Sequence, residues 1–328
     1  MRPIVVIYGP TASGKSALAC ALAHCAQGVI INADSMQLYR ELRVLTARPT
    51  PAEEDALPHR LYGTFSSANP ASAGNWLHHA VQAIDDTHRS GKLPIVVGGT
   101  GLYIRTLVQG MSPIPDVPGT VRQAAAAMYA SLGAEAFHRQ LQRRDPETAA
   151  RLHPHDRQRM VRAWELLEHT GTGLHTWQQC PAVAHYAPEQ FRLIYAHMPR
   201  TALYARCEQR LVQMLKAGAL EEVQALMHHS LPKDAPLLRA VGVPELMAHL
   251  RGDVPIGQAL HDAQQATRRY AKRQLTWMRG QMHFENAPCV CWPTTPVLPH
   301  GIATHGASTQ NDPIEPDLQR LYTQFIAS

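Results

Sequence analysis

The chain has 328 residues, 45% of them hydrophobic, and carries 31 Lys and Arg against 26 Asp and Glu for a formal net charge of +5. That length buries a full core and predicts one large domain plus a smaller one, in an ordinary globular composition. The apolar runs are strand-sized, which excludes a membrane span, and the mild positive charge permits a nucleic-acid partner without requiring one.

In chain order, Pro3 to Tyr8 is a short apolar run with β-branched residues, the pattern of a buried parallel strand. It leads directly into a glycine-rich loop and does not read as a signal peptide. The loop is Gly9-Pro10-Thr11-Ala12-Ser13-Gly14-Lys15-Ser16. It fits G-x-x-x-x-G-K-[ST], the P-loop of ATP-binding and other nucleotide-binding proteins. Its amides surround phosphate oxygens, Lys15 adds a point charge, and the Ser16 hydroxyl is a Mg²⁺ ligand. Leu18, Leu22 and Ala26 then recur at helical spacing, and a helix there aims its positive end at the same phosphates.

Val29 to Asn32 reads as a second strand, and Trp76, Leu77, Ala80, Val81 and Ile84 as one face of a helix. Leu93 to Val97 is a third strand and Phe191 to His197 a fourth. Strand–helix alternation predicts an α/β fold: a P-loop parallel sheet flanked by helices, with its ligands at the strand carboxyl ends. From 117 to 190 the strand pattern stops, and an Ala-, Gln-, Arg- and His-rich stretch reads as an all-helical insertion. The expected domains are a P-loop core of 1–116 and 191–283, this insertion, and a Pro-rich C-terminal appendage of 284–328 ending in a weak helix.

Asp34 follows the second strand. A carboxylate there could bind Mg²⁺, act as a general base or cap a helix. Gly98-Gly99-Thr100-Gly101 follows the third strand, where glycines allow close backbone approach and Thr100 offers a hydroxyl. That strand ends in Gly-Gly and not in the Asp of an NTPase metal site, which weakens a plain ATPase reading. Basic residues crowd 139–162 and 268–279. Tyr270 and Trp277 beside the second group favour RNA contact, because bases stack on aromatic rings and Arg. His153-Pro154-His155-Asp156 reads as a helix-starting turn rather than a metal site. The six Cys lack zinc-ribbon spacing and read as reduced thiols of a cytoplasmic protein.

Eight stretches in order resemble the bacterial tRNA dimethylallyltransferases, also called tRNA isopentenyltransferases. They are residues 9–16, Asp-Ser-Met-Gln-Leu-Tyr-Arg (34–40), Thr-Ala-Arg-Pro (46–49), Pro-His-Arg-Leu (58–61) and Pro-Ile-Val-Val-Gly-Gly-Thr-Gly-Leu-Tyr (94–103). His-Pro-His-Asp-Arg-Gln-Arg (153–159), Arg-Ala-Val-Gly (239–242) and Ala-Lys-Arg-Gln-Leu-Thr-Trp-Met-Arg (271–279) complete the set. The resemblance implies transfer of a dimethylallyl group from dimethylallyl diphosphate to N6 of the adenine 3′ of the tRNA anticodon, with Mg²⁺. Loop residues Gly9, Pro10, Thr11, Ala12, Ser13, Gly14, Lys15 and Ser16 would hold the leaving diphosphate, with Arg206 as a second contact. Asp34 would be the base and Thr100 would contact the target adenine, which base flipping delivers.

Family positions on tRNA carry over to Asp34, Ser35, Met36, Gln37, Thr100 and Arg122, and to Gln158, Arg159, Met160, Val161 and Arg162. They continue with Arg239, Ala240, Val241, Gly242, Val243 and Pro244, then Lys272, Arg273, Gln274, Leu275, Thr276, Trp277, Met278 and Arg279. The helical insertion would grip the anticodon stem-loop. A monomer is expected. Val243-Pro244 departs from the family's aromatic and basic pair and puts one RNA contact in doubt. The competing class is a P-loop kinase of a nucleoside or small metabolite, which needs the loop but leaves the two basic regions unexplained.

Overall fold

The computed structural model describes residues 2–229, 231–232, 235–284, 286–293 and 314–327. Its elements run β1 (Ile4–Tyr8), α1 (Lys15–Ala26), β2 (Gly28–Asn32), α2 (Pro51–Ala56), β3 (His59–Arg60), α3 (Ala73–Arg89), β4 (Leu93–Gly98) and α4 (Gly101–Gln109). Helices α5 (Gly119–Leu132), α6 (Ala134–Arg144), α7 (Pro146–Ala149), α8 (Arg157–Thr170) and α9 (Leu174–Gln179) follow. The chain then forms β5 (Phe191–His197), α10 (Arg200–Lys216), α11 (Ala219–His228), α12 (Val243–Leu250), α13 (Ile256–Gln281), β6 (Cys289–Pro293) and α14 (Ile314–Leu321).

The strands form one parallel sheet in the order β3-β2-β4-β1-β5-β6. Every residue of β1, β2 and β4 is buried, as expected of strands covered on both faces. In register, Tyr8 lies beside Gly98 on one side and Tyr195 on the other, and Asn32 lies beside Val97. The carboxyl ends of β2, β4 and β1 are therefore consecutive, so the turns that leave them are neighbours.

The chain divides into two compact units, Met1–Val108 with His185–Ser328, and Gln109–Ala184. The second begins before the expected 117 and ends before 190, because 109–118 and 184–190 carry no periodic pattern to mark the join. Its core gathers Phe137, Leu141, Met160, Ala163, Trp164 and Leu166 from α6 and α8. The Pro-rich stretch after 284, expected as an appendage, supplies β6 to the sheet edge. Leu318, Leu321 and Ile326 pack with Leu18 and Leu22 of α1 in the main core, so α14 belongs to the first unit. Pro244 sits in the first turn of α12, where a missing N–H costs nothing.

Candidate active site

The phosphate loop, Asp34 and Thr100 lie on the three consecutive strand ends, and Arg206 lies on α10. The loop after β1 folds back so that Lys15 Nζ donates to Pro10 O at 2.6 Å. Burial pulls Lys15 down to about 8, against the Asp34 carboxylate, which favours its charge. Two side-chain atoms at this loop, Ser13 Oγ and Arg210 Nε, are buried without a hydrogen-bond partner among the described residues. Buried polar groups are normally paired, so these two fit an anion seated in the loop. Arg210 of α10 also donates from Nη2 to Thr11 Oγ1 at 2.5 Å. Arg206 lies one turn earlier on α10 and shares its face.

Asp34 is fixed from both directions. Its N–H donates to Asn32 Oδ1 at 2.8 Å, and Asn32 Nδ2 donates to Asp34 O and Leu61 O, each at 3.0 Å. Trp76 Nε1 donates to Asn32 O at 2.8 Å. The Asp34 carboxylate accepts from Met36 N at 3.0 Å, which makes a local turn, and no helix follows for it to cap. Burial raises its pKa, opposed by the Met36 amide and by the Lys15 and Arg210 charges. A raised carboxylate pKa makes Asp34 a better proton acceptor, and the two cations favour its charged form.

Thr100 stands on the neighbouring turn. Its Oγ1 accepts from Ser35 N at 2.9 Å and its hydroxyl reaches Ser35 Oγ at 3.3 Å, so it ties the β4 turn to the Asp34 turn. Gly98 is required here, because a Cβ on it would lie 2.0 Å from Ala33 O. Gly101 meets Trp277 of α13 in the same way, at 2.1 Å from the ring.

Among the expected RNA contacts, Lys272, Arg273, Thr276 and Arg279 are exposed along α13, whereas Gln274 and Met278 lie on its buried face. Arg268, expected beside Lys272, turns to Glu208 of α10 instead. Ala240 and Val243 are core residues of the first unit. Gln37 donates from Nε2 to Thr46 O and Ala47 O at 2.8 and 2.9 Å, so its side chain braces a loop. A pocket of about 180 Å³ lies between the 239–244 turn and α13, lined by Arg239, Arg269 and Arg273.

In the helical unit, Gln158 and Arg159 are exposed at the start of α8, and Asp156 caps that helix through Arg159 N at 3.2 Å. This is the turn expected of His153 to Asp156, and no group of three His, Cys, Asp or Glu suited to a metal occurs among the described residues. Met160 is fully buried. Arg122 and Arg162 flank the buried Glu165 carboxylate at 3.4 and 2.6 Å. Either arginine alone compensates that charge; neither does in Arg122→Ala/Arg162→Ala. The double variant should lose about 3 kcal/mol of stability in chemical denaturation, with much smaller losses in the singles. Equal losses in all three would remove this account.

Asn32 and Arg210 escaped sequence reasoning. They gave only weak signals, a polar residue ending a buried strand and a basic residue on an amphipathic helix. Gln274 was expected among the RNA contacts, although it falls on the apolar stripe of Ala271 and Met278.

A family model described as IPP transferase matches residues 37–281. The chain belongs to the IPP transferase family. It is 50% identical over 293 residues to a tRNA dimethylallyltransferase of Rhodospirillum centenum, covering 88% of this chain and 93% of that relative. The tRNA isopentenylpyrophosphate transferase of Bacillus halodurans superposes with a TM-score of 0.60 at 31% identity, over 89% of this chain and 90% of that one. A eukaryotic dimethylallyltransferase acting on tRNA gives a TM-score of 0.71 at 25% identity, over 85% of this chain and 70% of that one. The IPP transferase match thus begins just after the phosphate loop and Asp34 and spans Thr100, the helical unit and the whole of α13.

Proposed function

We propose that the chain transfers a dimethylallyl group from dimethylallyl diphosphate to N6 of the adenine 3′ of the tRNA anticodon. The observation that carries this reading is the convergence of the Lys15 loop, Asp34 and Thr100 on three consecutive strand ends, with Gly98-Gly99 where an NTPase places its metal Asp. The loop takes the diphosphate as a leaving group, with Lys15, Arg210 and the α1 amino end facing its charge. N6 attacks the allylic carbon, the carbon–oxygen bond to diphosphate breaks, and the N6 proton passes to the Asp34 carboxylate. Thr100 holds the Asp34 turn through Ser35 and offers its remaining lone pair to the flipped base.

Mg²⁺ fits the oxygen donors present: Ser16 is exposed at the start of α1, and its hydroxyl with the diphosphate oxygens and water would hold the ion. When bound, it supplies charge neutralisation to the departing diphosphate. The helical unit offers Arg122, Gln158, Arg159 and Arg162 to the anticodon stem-loop on this reading, and the exposed face of α13 offers Lys272, Arg273 and Arg279 to tRNA. Arg206 is a further diphosphate contact on this reading. One chain holds every group invoked, so a monomer suffices. None of the six cysteines is in a disulfide, which suits a reducing cytoplasm.

The purified protein with Mg²⁺, tRNA and dimethylallyl diphosphate should yield prenylated tRNA by mass spectrometry without ATP. Consumption of ATP with tRNA left unmodified would overturn the reading in favour of a kinase.

A further inference from the structure

The buried amide of Gln274 sits between the two turns that carry the chemistry. Thr11 N of the phosphate loop donates to Gln274 Oε1 at 2.7 Å, and Gln274 Nε2 donates to Gly99 O at 3.0 Å. Gln274 is 7% exposed, so its amide is largely shielded from water. The orientation of the amide is fixed by chemistry: a backbone N–H needs the oxygen and a backbone carbonyl needs the nitrogen. Gly99 has no Cβ at the point of contact, where one would lie 2.4 Å from Gln274 Nε2. One turn further along α13, Trp277 seats against Gly101 in the same loop.

We infer that Gln274 is a positioning residue that clamps the phosphate loop of residues 9–16 to the Gly98–Gly101 turn, and so sets the distance between the diphosphate and Thr100. Its side chain does not contact tRNA. Sheet pairing aligns β1 with β4 only as far as Tyr8 and Gly98, and the turns beyond have no ladder between them. Gln274 is the side chain that bridges this gap. Thr11 precedes the Ser13–Ser16 cradle, so the bond to its amide steadies the loop without occupying the cradle. Transfer from an allylic carbon demands near-attack alignment, and misplacement by about 1 Å costs about 100-fold in rate.

The inference rests on the reading of residues 9–16 as the donor diphosphate site. Three quantities test it: Kd for inorganic diphosphate with Mg²⁺, Kd for tRNA, and kcat/KM for the donor. Lys15→Met tests the loop reading by itself; if it binds diphosphate as the native protein does, that reading fails and the clamp has no purpose. With that reading intact, Gln274→Met should leave tRNA affinity within about twofold and lower donor kcat/KM about 10- to 100-fold. Gln274→Glu keeps the Thr11 bond but sets a carboxylate against Gly99 O, and should lose at least as much.

Gly99→Ala approaches the same clamp from its other end, and covers the case in which Gln274→Met fails to fold. Because both changes break one device, the Gln274→Met/Gly99→Ala double should be no worse than the poorer single by more than about twofold. Weakened tRNA binding with unchanged donor kinetics would make Gln274 an RNA contact and overturn the inference. Unchanged donor kinetics in both single variants, or fully additive losses in the double, would overturn it as well.

Discussion

Asp34→Ala retains tRNA binding and loses turnover by about 100-fold or more on the proposed mechanism, the usual contribution of a general base. Asp34 is held by Asn32 on one side, while its carboxylate accepts from the neighbouring Met36 amide at 3.0 Å and from the Gln37 amide of the same turn. Removing the carboxylate therefore leaves the β2 turn and its tie to Thr100 through Ser35 N in place. Turnover falls because the exocyclic amine has no acceptor for its proton as the C–N bond forms.

Asp34→Asn is the sharper variant. It keeps the shape and an oxygen that can accept from Met36 N, but it cannot take a proton, so it should be as impaired in kcat as the alanine variant. Asn32→Ala should fall between the native protein and these two variants, since it frees the Asp34 turn from two bonds and leaves the carboxylate intact. Single-turnover measurements with saturating tRNA separate the chemical step from binding. Near-normal single turnover in Asp34→Asn would remove the base assignment and leave Asp34 as an electrostatic partner of Lys15.

The parts of this site that the sequence made legible are those in which residue type and chemistry coincide. A Gly-x₄-Gly-Lys-Ser loop after an apolar run, and an Asp and a Thr each just beyond a buried strand, announce themselves because those side chains are poor core residues. The basic run of 268–279 falls on the 26-residue helix α13 (Ile256–Gln281). What stayed hidden depends on non-local pairing. β3 is two residues long and too short for any pattern. β6 alternates exposed and half-buried residues at a sheet edge, within a stretch whose prolines argue against a strand. The β5–β6 pairing joins residues almost 100 positions apart, and nothing in the intervening helices announces it.

Gln274 is the clearest case of a residue whose type misled. The family resemblance put it among the RNA contacts with Lys272, Arg273 and Arg279. Its position with Ala271 and Met278 places it on the inward face, where a buried amide must find two partners. Periodicity outweighed composition here, as it does on any helix packed on one side.

Lys15 gives the second large effect, and it is readable as a function of pH. Burial brings the Lys15 ammonium down to about 8, the principal cause, while Asp34 pulls it up and Arg210 pushes it further down. The sign follows directly. The charged form faces the diphosphate and exists below that value, so donor kcat/KM should be level at neutral pH and fall as pH rises through about 8. A bound diphosphate favours the ammonium, so the same limb in kcat moves to higher pH than in kcat/KM. Lys15→Met removes the cation and should lower donor kcat/KM about 100- to 1,000-fold, with the limb gone from what remains. The diphosphate titrates too, and the native protein and Lys15→Met share that ionisation, so the difference between their profiles belongs to Lys15. A limb near pH 8 that persists in Lys15→Met would assign it to the substrate. The loss should fall on the donor alone: tRNA affinity in Lys15→Met stays near native, because Lys15 Nζ is turned inward to Pro10 O and away from the exposed basic face of α13.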